Sequence, residues 1–331
     1  MAVTLEDIKN LRTKTGAGMS DCKKALTEAE GDFEKAIEII RKKGLAVAAK
    51  RSDREASEGC VLVKVDGNFG ATIALKCETD FVAKNADFVA LTQAILDAAV
   101  AARCKTLDEV KALPFQNTTI QEAVVERTGV IGEKLELDGY NTIEAPEIAS
   151  YNHQGKNFLC VLVAFNKEAA DKDYVHEVAL QVAAQNPVSV SEADVPEKIK
   201  QQEMQVAVDK TKAEQVSKAV EAALKKAGFN LYIAENEDHI KEGIMKGSIT
   251  EAQADEIRAL KEKVAAEKAA NLPAAMIEKI AEGRMNKFFK ENCLLNQKSL
   301  TDDQKTVAEY LQALDKDLTV TSFVRFTLRS E

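Results

Sequence analysis

Ala71-Thr72-Ile73-Ala74-Leu75-Lys76-Cys77 followed by Glu78-Thr79-Asp80-Phe81-Val82-Ala83-Lys84-Asn85 is an apolar, strand-like run that stops at turn and cap formers. Upstream, Cys60-Val61-Leu62-Val63-Lys64-Val65 leads to a turn at Asp66-Gly67-Asn68, and Phe69 opens the second run, a β-hairpin signal. Downstream, Phe88 to Ala102 reads as a helix with Phe88, Leu91, Ile95 and Ala98-Ala99 on one side. Thr79 and Asp80 are the cap formers between hairpin and helix. Phe81 therefore sits on a loop between two rigid elements. Its ring is either a core anchor for the following helix or an exposed group free to reach a partner.

The order recurs further along. Ile148 to Asn152 reads as a short strand, His153-Gln154-Gly155-Lys156 as a turn, and Phe158 to Phe165 as a strand. Tyr174 to Ala184 is a helix stopped by Asn186-Pro187. Two hairpin-plus-helix units in one chain indicate an α+β fold with a degenerate internal repeat. Between them, residues 120 to 138 read as a short helix and an extended exit.

Ahead of the first hairpin, residues 4 to 44 read as three short helices, a small bundle like a ubiquitin-associated domain. Thr4 with Asp7 can cap the first, Ser20 the second and Asp32 the third. Gly16-Ala17-Gly18 ends the first helix and Gly44 stops the third. Residues 46 to 58 read as a polar linker with helical tendency. From Pro196 to Lys290 strand signals almost vanish, and Ala, Lys, Glu and Gln dominate. That pattern predicts a projecting helical hairpin or pair of hairpins with a thin apolar seam and i,i+4 charge pairs.

Composition narrows the function classes. The chain has 331 residues and a net charge of −9, which argues against a general nucleic-acid binder. The longest apolar run, Phe158 to Phe165, is too short to span a bilayer, and the N-terminus lacks a signal-peptide core, so a cytoplasmic protein is expected. Six cysteines are scattered without a Cys-x-x-Cys pair and read as buried or incidental thiols. Three histidines, His153, His176 and His239, show no metal-ligand spacing. No phosphate loop, dinucleotide fingerprint or nucleophile–base pair is present, so neither an enzyme nor direct nucleotide binding is indicated, and no cofactor or metal is expected.

Two stretches together carry a family resemblance. Leu11-Arg12-Thr13-Lys14-Thr15-Gly16-Ala17-Gly18-Met19 with Asp21-Cys22-Lys23-Lys24-Ala25-Leu26, and Glu78-Thr79-Asp80-Phe81-Val82-Ala83-Lys84, resemble the two signatures of the bacterial elongation factor Ts family in order and spacing. The resemblance implies a guanine-nucleotide exchange factor for elongation factor Tu, a translation factor that promotes GDP release by displacing Mg²⁺ and disturbing the partner's nucleotide site. It implies that Thr79, Asp80, Phe81 and Val82 form the wedge. Arg12 and Met19 would dock the same G domain, and the second core unit would grip another domain of the partner. Many members have a His where this chain has Gln181, which makes Gln181 a candidate partner contact. The implied domains are residues 1–45 (three-helix head), 46–58 (linker), 59–140 (first core subdomain) and 141–331 (second), the last interrupted by a coiled-coil protrusion at about 197–282. Roughly residues 203–270 read as an elaboration on that protrusion, and the C-terminal helical module of some members is expected to be missing. The sequence leaves a homodimer open. The competing class is an adaptor whose ubiquitin-associated-like head binds peptides.

Overall fold

A computed structural model describes residues 3–329. They form two compact units, one from the chain up to Val190 together with the chain from Lys298 onward, the other from Ser191–Gln297. The fold is α+β, as the alternation of hairpin and helix patterns predicts.

The first unit opens with α1 (Leu5–Thr15), α2 (Met19–Glu28) and α3 (Phe33–Lys50). Ile8, Leu11, Cys22, Ala25, Leu26 and Ala36 bury their side chains between the three helices. The caps are local and follow the sequence. Thr4 and Asp7 exchange hydrogen bonds in a capping box, Asp32 accepts from the amides of Glu34 and Lys35, and Gly16 closes α1 in the left-handed region (φ 68).

Two helix boundaries differ from expectation. Ser20 does not cap α2; the helix starts at Met19 because the Gly18 carbonyl already accepts from Cys22. Gly44 does not stop α3 either. The helix runs through it to Lys50, so the first part of the expected linker is helical. The reason lies in α7 (Ile120–Ile131), which crosses α3 there. A Cβ added at Gly129 of α7 would lie 2.1 Å from the Gly44 Cα. Gly44 is thus a contact residue whose missing side chain lets two helix backbones meet. Arg41 reinforces the crossing with ion pairs to Glu122 and Glu126.

Two antiparallel sheets follow the head. The first has the order β1 (Glu58–Asp66), β2 (Phe69–Cys77), β5 (Glu136–Glu144). The second has the order β6 (Glu147–Asn152), β7 (Leu159–Phe165), β8 (Val320–Thr327). The hairpin register pairs Asp66 with Phe69, which places Gly67 and Asn68 in the turn, with Gly67 at φ 56.

The sheets pack face to face. Ile143, Ile148, Leu162 and Ala164 form one apolar cluster between them, and Val61, Ala74 and Cys160 another. Helix α5 (Ala86–Ala101) covers the outer face of the first sheet through Phe88, Ile95, Leu96 and Ala99. Helix α8 (Lys172–Gln185) covers the second through Val175, Val178, Ala179 and Val182. The central strands β2 and β7 are therefore covered on both faces, which is why β7 is buried along its whole length. All six cysteines are buried, and burial pushes the Cys60 and Cys77 thiols up to about 12.

Both sheets share one chain path: two hairpin strands, a covering helix, an insertion, then a third strand beside the second. In the first sheet the short helix α4 (Asp80–Ala83) lies between β2 and α5, and the insertion holds α6 (Leu107–Ala112), the two-residue strands β3 (Pro114–Phe115) and β4 (Thr118–Thr119), and α7. In the second sheet it holds the whole second unit and then α14 (Val307–Leu314).

The second unit is entirely helical: α9 (Glu197–Lys226), α10 (Leu231–Ala234), α11 (Glu237–Met245), α12 (Glu251–Ala270) and α13 (Ala274–Asn292). Its two ends are separately packed. Val195, Met285, Phe289 and Cys293 form the base, while Leu224, Ala234, Ile240, Ala254 and Ile257 form a distal core. The unit spans Ser191–Gln297, and its base draws Val195 and Cys293 from just outside α9 and α13.

Candidate partner-binding site

The loop after β2 becomes the single turn of α4. Thr79 is its N-cap, and its hydroxyl accepts from the Val82 amide at 3.4 Å. One turn of helix separates neighbouring side chains by direction. Val82 and Ala83 pack against the core under the first sheet, while Phe81 is 83% exposed. This settles the two sequence readings of the ring in favour of an exposed group. Asp80 accepts from Lys84 at 2.6 Å, and that bond holds its carboxyl below the usual range.

The base of this turn is pinned by residues the sequence did not single out. Glu78 takes Arg51, the C-cap of α3, at 2.7 Å and Arg54, in the turn beyond it, at 3.5 Å. The Lys134 amide first, then the two arginines, draw the Glu78 carboxyl below its ordinary range. Glu133, from the exit of α7, binds the other side of the turn. Arg51 lies 27 residues from Glu78, and Glu133 lies 54 residues from Thr79, so no local periodicity marks them.

In the head, Arg12 is exposed near the end of α1, and Met19 is half-buried at the start of α2, packed on the bundle's own core. A cavity of about 320 Å³ opens beside this loop, lined by Gly18, Asp21, Lys24, Ile40, Lys43 and Val130 among others. Gln181 is placed differently. It is 2% exposed on the inner face of α8. Its Nε2 donates to the Lys298 carbonyl at 3.1 Å, and its Oε1 accepts from the Leu300 amide at 2.9 Å. What reaches the surface there is Leu300, 53% exposed, with Thr301 donating to Glu177 at 2.9 Å.

A family model described as elongation factor TS matches residues 78–330, from the Glu78–Thr79 turn through the last strand. Proteins named elongation factor Ts align over the full length of both chains: that of Phocaeicola vulgatus at 62% identity, that of Parabacteroides distasonis at 60% and that of Porphyromonas gingivalis at 41%.

The chain belongs to the elongation factor Ts family. Elongation factor Ts proteins serve protein biosynthesis. Among the described residues, no helix is long and apolar enough to cross a membrane.

Proposed function

We propose that this chain is the cytoplasmic exchange factor for elongation factor Tu, releasing GDP without chemistry of its own. A GTPase holds its nucleotide through phosphate contacts, Mg²⁺ and ordered switch segments. A factor that binds the emptied site more tightly than the loaded one drives release through that difference alone. The wedge is Thr79, Asp80, Phe81 and Val82. Phe81 enters the G domain near the Mg²⁺ site, while Thr79 and Asp80 shape the turn and Val82 roots it in the core. Arg12 and Met19 dock the same domain from the head. Gln181 serves the contact with a second partner domain indirectly, by holding the segment that displays Leu300.

The observation that carries this reading is a phenylalanine left 83% exposed on a turn otherwise tied to the core. A large ring in water, on a rigid support, suits insertion into a pocket of a partner. Stopped-flow release of labelled GDP from elongation factor Tu tests it. Phe81→Ala should slow release by about an order of magnitude or more, the scale of a buried aromatic anchor, with an unchanged melting curve. Wild-type release by this variant would remove Phe81 from the mechanism.

A further inference from the structure

The turn that carries Phe81 is held across a long sequence distance. Gly132, left-handed at φ 81, ends α7 and turns Glu133 toward the end of β2. Glu133 Oε2 accepts from the backbone N–H groups of Glu78 (3.2 Å) and Thr79 (3.0 Å), and Oε1 accepts from the Thr79 hydroxyl at 2.7 Å. The lacing is reciprocal, because Glu78 Oε1 accepts from the Lys134 amide at 2.6 Å. Thr79 passes the hold onward, since the hydroxyl that donates to Glu133 also accepts from Val82 and so fixes the first turn of α4.

We propose that Glu133 is a positioning residue for nucleotide exchange: its carboxylate templates the Glu78–Thr79 turn, so that Phe81 is presented in one orientation. This rests on the reading of Phe81 as the wedge. Phe81 is 83% exposed and is not oriented by the core itself; Val82 and Ala83 seat α4 on the core, and the base of the turn sets the direction in which α4 leaves β2. Charge-assisted hydrogen bonds from two amides and a hydroxyl to one carboxylate define a turn more narrowly than neutral bonds do. A turn that samples several orientations is competent only for a fraction of the time, and its apparent strength falls by that fraction.

The test measures GDP release from elongation factor Tu at saturating exchange factor, together with the half-saturating concentration and the melting curve. Glu133→Ala should lower the saturated rate about tenfold and move half-saturation much less, since head and second sheet still bind. Glu133→Gln should restore most of the rate, because an amide can accept from the two backbone groups and donate to the Thr79 hydroxyl. The deciding measurement is the double variant. If Glu133 acts through the ring, Glu133→Ala slows a Phe81→Ala protein no further. Multiplicative losses would overturn the proposal, as would normal exchange by Glu133→Ala alone. If Glu133→Ala fails to fold, Glu133→Asp takes its place; it keeps the charge but cannot reach the turn, and wild-type exchange by it also overturns the proposal. The Phe81→Ala protein measured alone separates failure of the wedge reading from failure of the Glu133 assignment.

Discussion

Phe81 and Phe88 belong to neighbouring helices and have opposite surroundings, the first 83% exposed and the second 1%. Truncating each to alanine should therefore separate binding from stability. Phe88→Ala should cost about 3–5 kcal/mol in denaturant unfolding, the usual loss for a buried aromatic ring, whereas Phe81→Ala should leave the midpoint within experimental scatter. A large shift for Phe81→Ala would mean that its ring packs in solution. Arg12→Ala with Met19→Ala belongs to the same scale. Titration calorimetry with elongation factor Tu should show weakening of about 2 kcal/mol or more if both are interface anchors, with circular dichroism unchanged. Unaltered affinity would take the head loop out of the contact. The loop itself was legible in the sequence, because cap formers and an aromatic residue between a strand and a helix are local signals. Its exposure was not, since either fate of Phe81 fits the same seven residues. Glu133 was not legible at all: it meets the loop only because α7 and β2 are brought together by tertiary packing. Gln181 could be read as a substitution, but its burial depends on the return of the chain at Lys298–Leu300.

At the level of elements, caps and crossings behave differently under perturbation. Asp7 is held below its usual range by the Thr4 hydroxyl, Asp32 by the Lys35 amide, Glu122 by the Thr118 hydroxyl and Glu309 by the Thr306 amide. A carboxylate whose folded value is depressed adds stability that is full above its unfolded value and is lost as pH falls through the folded one. The melting temperature should thus stay level from neutrality to the ordinary carboxylate range and drop below it, from roughly pH 4 downward. A melt insensitive to acid there would show that these caps contribute nothing. Crossings respond to volume instead. Gly129→Ala places a methyl group 2.1 Å from the Gly44 Cα, so α3 and α7 must separate. The expected cost is about 1–3 kcal/mol, with faster proteolysis of residues 50–58 as the head loosens. Capping boxes could be read from the sequence because both partners lie within one turn. The purpose of Gly44 could not, because a glycine at a helix crossing and one at a helix stop look alike until the opposing helix is in place.

For the whole molecule, the division of the second unit into base and distal core predicts where it can be shortened. Replacing Ala219–Leu260 with a short Gly/Ser turn removes the distal core and leaves the Val195–Met285–Phe289–Cys293 base. The variant should fold and exchange within several-fold of the parent, since wedge and head lie in the other unit. Loss of exchange by a folded variant would assign the distal core to partner binding or to a required dimer. The base has a further consequence for the order of events during folding. Strand β7 must find β8 across more than 150 residues, the longest strand pairing among the described residues. When Val195 and Cys293 come together, the intervening chain drops out of that search. The effective loop shortens roughly threefold, worth about 1 kcal/mol of closure entropy. The second unit is therefore expected to act as a splint: if its Val195–Cys293 closure precedes the pairing of β7 with β8, the search that completes the second sheet is shorter.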